Sequence, residues 1–275
     1  MAIRQLVLLR LLRDENTPMG LFESGSFSED VKTALDPALS VERYSRRWRL
    51  SRPQEVDNRW LSGKLGFERA VETEAIHYDE TVQDFVQEEA QAEQGTFSHY
   101  VIDLQNQYLL FELRPPAIQL NSFVGAFKKI LDLTRERHRF EVEVITDTQE
   151  FYEWLTEVDE VEQVRVSLRR PNPSFEDRTE NILGLLEETN AARIDVDAHA
   201  PEGESLQVPG TDLATMVDYA GEGYGEVNAI GKSNRTVRKF SSKSNTRSTS
   251  IEIVEDDDEP SLISKIIIAL TSLIS

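Results

Sequence analysis

Three stretches decide how this chain reads: Phe140-Glu141-Val142-Glu143-Val144, Val164-Arg165-Val166-Ser167-Leu168-Arg169 and Ile194-Asp195-Val196-Asp197-Ala198-His199. In each, apolar and polar residues alternate. Side chains on a strand point to opposite faces in turn, so each stretch reads as a strand with one buried and one wet face. A sheet covered by helices on both faces is built from strands that are apolar throughout. The alternation therefore argues against a doubly wound sheet, although helix-period segments lie between the strands. The expected fold class is α+β: a two-layer sandwich of ferredoxin-like character, with an antiparallel or mixed sheet, helices on one face and an apolar C-terminal helix.

Working outward, Phe97 to Leu104 and Tyr108 to Leu113 read as strands joined at Gln105-Asn106-Gln107. Leu120, Phe123, Val124, Phe127, Ile130 and Leu131 recur at helical spacing. Asp147 can cap a helix that buries Phe151 and Leu155, and Ser174 another that carries Phe175, Ile182, Leu185 and Leu186. These elements make 96–200 the α/β core. Residues 1–95 form an irregular N-terminal region: Ile3 to Leu12 is apolar on both alternating sets, as in a doubly buried strand. Glu68 to Glu93 is acidic, with Arg69 its one base, and suits a solvated helix or a connector. Segment 201–259 holds a helix around Leu213, Met216 and Val217, then a basic hairpin, Glu226 to Ile230 against Arg235 to Phe240. Residues 260–275 form an apolar helix.

The formal net charge is -20, which opposes nucleic acid and anionic membranes through the global field. Local basic patches can override that field. The absence of cysteine removes disulfides, thiolate metal sites and cysteine nucleophiles. The apolar run Leu6 to Leu9 is broken by Arg10 and lacks a secretory h-region, so a cytoplasmic protein is expected. Ser62-Gly63-Lys64 lacks the spacing of a phosphate loop, and Gly221-Glu222-Gly223-Tyr224-Gly225 follows a helix instead of opening one. No cofactor is implied.

Three constellations carry chemistry. Asp195, Asp197 and His199, spaced by two, share one strand face and could serve acid–base work or a divalent metal. Arg235, Arg238, Lys239 and Lys243 form a basic hairpin, and Arg46 and Arg47 with Trp48 a basic patch with an aromatic; both could contact nucleic acid, but the favoured reading of the hairpin is that it neutralises the acidic body, and the ordinary use of the patch is to pair with the acidic stretch Glu68 to Glu93. Leu262, Ile266, Leu270 and Leu273 line one side of the last helix, whose 13 apolar-rich residues from Leu262 to Ile274 are short of a bilayer span of about 20. That stripe is expected to dock on protein: a groove of this chain, a second copy or another protein, with a homo-oligomer as the leading case. The first function expected is a non-enzymatic binding or regulatory protein acting through protein–protein contacts. The alternative is a nucleic-acid-directed enzyme or toxin-like effector using Asp195, Asp197 and His199. A third is a membrane-active effector using the last helix.

Overall fold

A computed structural model describes residues 2–13, 26–79, 84–134, 140–169, 191–234, 236–254 and 258–274, with single positions between 184 and 189; for 69–79 and 84–94 it describes the backbone alone. The chain runs β1 (Ala2–Arg13), α1 (Phe27–Ala34), β2 (Ser40–Arg43), β3 (Arg46–Leu50), β4 (Gln54–Val56), β5 (Trp60–Asp79), β6 (Asp84–Asp103), β7 (Tyr108–Glu112) and α2 (Leu120–Leu131). It continues through β8 (Phe140–Val144), α3 (Thr148–Glu157), β9 (Glu160–Arg169), β10 (Arg193–His199), α4 (Asp212–Tyr219), β11 (Gly225–Ser233), β12 (Thr236–Ser241), β13 (Ser248–Ile253) and α5 (Glu259–Ile274).

The molecule is mostly β, and its larger sheet is a curled antiparallel half-barrel. Nine strands make that sheet, in the order β13-β1-β7-β6-β5-β3-β2, with β4 on β5 and β8 on β1. The second sheet is β10-β9-β11-β12, also antiparallel. Strands for the larger sheet come from 1–95, 96–200 and 201–259 alike. β1 ties them together: Leu6 to Arg10 pair with β7, while β13 and β8 lie end to end along its other edge, against Ala2 to Val7 and Leu9 to Arg13.

This corrects the ferredoxin-like two-layer sandwich. The alternating strands do not share a sheet: β8 joins β1, whereas β10 pairs with β9, and β9 on its other side with β11. Glu141 and the pair Arg165 and Asp195 therefore lie on different sheets. Alternation says which residues of a strand face a core; it does not say which core. Phe140 and Val142 pack with Val31, Phe123 and Phe127, whereas Val164, Val166 and Leu168 pack with Phe151, Trp154, Val217 and Phe240.

Nor are the helices confined to one face. α1 and α2 cover one side of the nine-stranded sheet, over Val7, Leu9, Trp48, Leu65 and Phe111. α5 covers the other, its Leu262, Ile263, Ile266 and Leu270 buried on Leu6, Leu8, Val101, Leu110 and Ile251. Burial of such a side chain stabilises by about 1.5–3 kcal/mol. Both faces of β1 are thus needed, and Leu6 to Leu12 are buried without a break. Among the described residues no helix is long and apolar enough to cross a membrane.

The acidic stretch from Glu68 is neither helix nor connector in the structure: it continues β5 and returns as β6, in register from Trp60↔Asp103 to Asp79↔Asp84. Glu, Ala and Gln favour helices as isolated residues; here the anchored halves of both strands impose their own geometry on the continuation. Between α4 and β11 lies a wide turn, Ala220 to Tyr224, in which Gly223 takes φ 91°, open to glycine at little cost. A Cβ on Gly225 would lie 1.9 Å from the Ser167 carbonyl oxygen, so β11 can approach β9 there only as glycine. The helix expected from Ser174 through Phe175, Ile182 and Leu185 lies outside the described residues, apart from buried Leu186. Arg235 lies outside them too.

Candidate functional site

On β3, Trp48 and Leu50 turn toward α2, so Arg47 and Arg49 between and beside them emerge on the opposite face, the one α5 covers farther along. The register carries this face across the sheet. Arg49 stands opposite Gly66, which stands opposite Phe97; Arg47 stands opposite Glu68, which stands opposite Gly95. With Ser51, Lys64 and Thr96 these residues line an open groove of about 360 Å³ just past the N-terminus of α5, where Lys64 Nζ meets Glu259 at 2.7 Å.

The floor is bare backbone for a steric reason. A Cβ on Gly66 would sit 2.7 Å from the Thr96 carbonyl oxygen and 2.8 Å from Phe97 Cβ. Beside that floor Phe97 is 41% exposed, high for a phenyl ring on a central strand. Two cations address the ring: Lys64 Nζ at 5.1 Å and Arg114 Cζ at 5.5 Å from its centroid. His99 meets it edge-on at 5.2 Å.

Beneath the ring is a buried charge cluster. Glu112, 1% exposed, accepts from Arg4, lies 3.0 Å from His99 Nδ1 and 2.9 Å from Arg114 Nε. Burial pushes the Glu112 carboxyl up, but the His99 hydrogen bond and the Arg114 and Arg4 charges outweigh it and hold the group below its ordinary value. The carboxylate is therefore a fixed anion that anchors Arg114 beside Phe97.

The other expected sites fall differently. Asp195, Asp197 and His199 do share one face of β10, and that face is open to water. Arg193 binds Asp195 at 2.8 Å; Asp197 takes Gln163 at 2.7 Å, Arg165, and His199 Nε2 at 3.1 Å. The hydrogen bond from Arg193 holds the Asp195 carboxyl below its ordinary value, and those from Gln163 and Arg165 do the same for Asp197. Among the described residues no three His, Asp or Glu side chains are grouped to hold a metal ion.

Trp48 is fully buried, its Nε1 donating to the Arg43 carbonyl at 3.1 Å, and presents no face to a base. Arg46 lies on the same side as Trp48, stacked 4.1 Å from the Phe67 centroid and bound to the Ala117 carbonyl. Of that patch only Arg47 reaches the groove. In the basic hairpin Lys243 pairs with Glu226 at 2.9 Å, while Arg238 and Lys239 sit on the edge strand β12. Leu262, Ile266 and Leu270 are buried on the chain's own sheet, and Leu273 packs at the margin of the same cluster. Sequence reasoning missed Lys64, Gly66, Phe97 and Glu112. The available signals were the Arg47–Arg49 alternation about Trp48 and the spacing of two between Phe97 and His99.

Residues 38–271 match the model of a family described as Domain of unknown function (DUF4747). The chain belongs to that family. The matched span takes in the whole groove and all of the second sheet, and leaves out β1 and α1. No curated protein matches the chain. Family membership thus brings no activity with it, and the chemistry of the site has to carry any functional reading.

Proposed function

We propose that this is a non-enzymatic binding protein whose groove takes single-stranded nucleic acid. The observation that supports this best is Phe97, exposed and flanked by Lys64 and Arg114 beside a glycine floor, with Arg47 and Arg49 across it. Exposed rings give every base a stacking surface, and flanking cations follow the phosphates, a pairing that needs no sequence preference. A groove of about 360 Å³ is at the small end of ligand sites, suited to one or two nucleotides of a longer strand. The net charge of -20 sets a cost on approach that the local patch offsets at close range. Such a ligand implies a cytoplasmic protein.

The enzyme reading draws less support. Asp195, Asp197 and His199 stand on an open sheet face and are engaged in ion pairs, which is poor ground for proton transfer. The membrane reading draws less as well, since the apolar stripe of α5 is spent on Leu6, Leu8 and Leu110.

The test is fluorescence anisotropy with a labelled oligothymidylate of fifteen nucleotides. Binding should weaken with salt, with a log–log slope of about -2 for three phosphate contacts on a single strand. Phe97→Ala should weaken it by a factor of about 5–150, the loss of one stacked base. Polyglutamate of equal charge should compete poorly. Absence of binding at 50 mM salt, or full affinity in Phe97→Ala, would overturn the reading.

A further inference from the structure

One residue of the groove does not suit a track for phosphates. Glu68 lines it, exposed, together with Arg47, Arg49 and Lys64. A carboxylate there repels phosphate and offsets the cations beside it. Among the described residues Glu68 has neither an ion-pair nor a hydrogen-bond partner. Arg47 stands directly opposite it on β3, yet that guanidinium reaches Glu42 instead, at 3.8 Å. Glu68 leans the other way, over β6: a Cβ built on Gly95 would lie 3.7 Å from its Cγ.

That places the carboxylate beside Phe97. Gly95 and Phe97 are two residues apart on one strand, so they share a face at a separation of about 6.6 Å. Across β5 and β6 the rows run Lys64 with His99, Gly66 with Phe97, and Glu68 with Gly95. Beyond this last row the two strands continue as a ribbon with, among the described residues, no third strand. The ring thus has Lys64 in the row on one side and an unpaired carboxylate in the row on the other. Gly66 and Gly95 leave the bed between them without side chains. A base stacked on Phe97 meets Glu68 with its edge.

Hydrogen-bond chemistry selects the base. A carboxylate accepts and cannot donate. In a single strand the Watson–Crick edge is free to be read. Guanine shows two adjacent donors there, N1–H and the 2-amino group, one for each carboxylate oxygen. Thymine and uracil show one N–H between two carbonyl oxygens, which the carboxylate repels. Adenine and cytosine set an amino group beside a ring nitrogen that only accepts. We infer that the groove prefers guanine at the position stacked on Phe97, with Glu68 as the specificity-determining residue. The inference rests on the nucleic-acid reading of the same groove: stacking and cations hold any strand, and Glu68 sorts the base.

The experiment is fluorescence anisotropy at 50 mM salt with two labelled fifteen-nucleotide strands, oligothymidylate and a repeat of thymidine-thymidine-guanosine. The repeat has no neighbouring guanines and stays single-stranded. A bidentate pair discriminates between bases by about 5–150-fold, so with guanine at one position in three the repeat should bind about three- to fiftyfold tighter. Glu68→Gln removes one acceptor and the charge. It should bring that ratio below about twofold while leaving oligothymidylate affinity equal or higher, which a merely structural role for Glu68 would not do. Inosine in place of guanosine lacks the 2-amino group and should lose most of the preference. Arginine, the commoner reader of guanine, uses O6 and N7; 7-deazaguanosine lacks N7 and should keep the preference. Equal binding of the two strands by the natural chain, or a preference that survives Glu68→Gln or vanishes with 7-deazaguanosine, would overturn the guanine reading and leave the groove a general binder. Failure of both strands to bind would overturn the nucleic-acid reading, and this inference with it.

Discussion

Arg10 of β1 donates from Nη1 to the hydroxyl of Tyr224 at 2.7 Å, with its guanidinium 4.4 Å from the centre of the same ring. Tyr224 ends the turn that leads into β11, so this contact fastens the nine-stranded sheet to the second one. Nη2 reaches the Tyr108 hydroxyl at 2.8 Å and Nε the Glu222 carbonyl at 2.7 Å. A planar fork serves three acceptors in fixed directions, which an ammonium group cannot do. Burial pushes the Tyr224 hydroxyl well above its ordinary range, so it stays a neutral partner. Arg10→Lys should lower stability by about 2–4 kcal/mol, because a buried side chain, 2% exposed, would lose most of its hydrogen bonds. Urea denaturation measures it; an unchanged midpoint would mean the sheets are held together without this contact.

The buried cluster under Phe97 gives a pH signature. Glu112 has a folded-state pKa below its ordinary value, so its contribution is fully present above the unfolded carboxyl range and is lost as pH falls through the folded value. Stability should therefore drop below about pH 4.5. Glu112→Gln should flatten that part of the profile and cost about 2–3 kcal/mol at pH 7, by leaving Arg4 and Arg114 without their shared anion. Thermal melts from pH 3 to 7 on both proteins decide it; parallel profiles would exclude Glu112 as the source.

Two neighbouring isoleucines on α5 separate docking from exposure. Ile266 is fully buried on the sheet, whereas Ile268 is 68% exposed. Ile266→Ala should cost about 2–5 kcal/mol through lost burial and the cavity left behind. Ile268→Ala should stay within about 0.5 kcal/mol. Equal losses at the two positions would place the helix on some other surface.

The face of β10 should be indifferent to metals. Addition of Mn²⁺ or Mg²⁺, or of a chelator, should leave the melting temperature of the natural chain unchanged, and Asp195→Asn with Asp197→Asn should fold with little loss. Exposed ion pairs contribute little each. A metal-dependent rise in melting temperature that the double variant abolishes would restore a metal role to Asp195, Asp197 and His199.

Much of the local structure was legible in the residues themselves. Period two in Phe140–Val144, Val164–Leu168 and Ile194–His199 marks strands because a pleated backbone sends side chains to alternate faces, whatever lies beyond. The stripe Phe123, Phe127 and Ile130 marks a helix for the equivalent reason, and all three are buried in it. Gln105 to Gln107 marks a turn, and the structure adds its lock: Asp103 accepts from the Gln105 and Asn106 backbone N–H groups.

Which strands share a sheet was decided only by the tertiary structure. Strand pairing is made by backbone groups that are alike at every position, so Val142 and Val166 carry no local mark of belonging to different cores. The partner of β8 is Leu9 to Arg13, some 130 residues upstream, and no window along the chain contains both. The ribbon was hidden because Glu and Ala favour helices until anchored strands on either side overrule them. The groove was hidden for the same reason of distance: Arg47, Lys64 and Phe97 are separated by tens of residues, and only the register β3-β5-β6 sets them on one face.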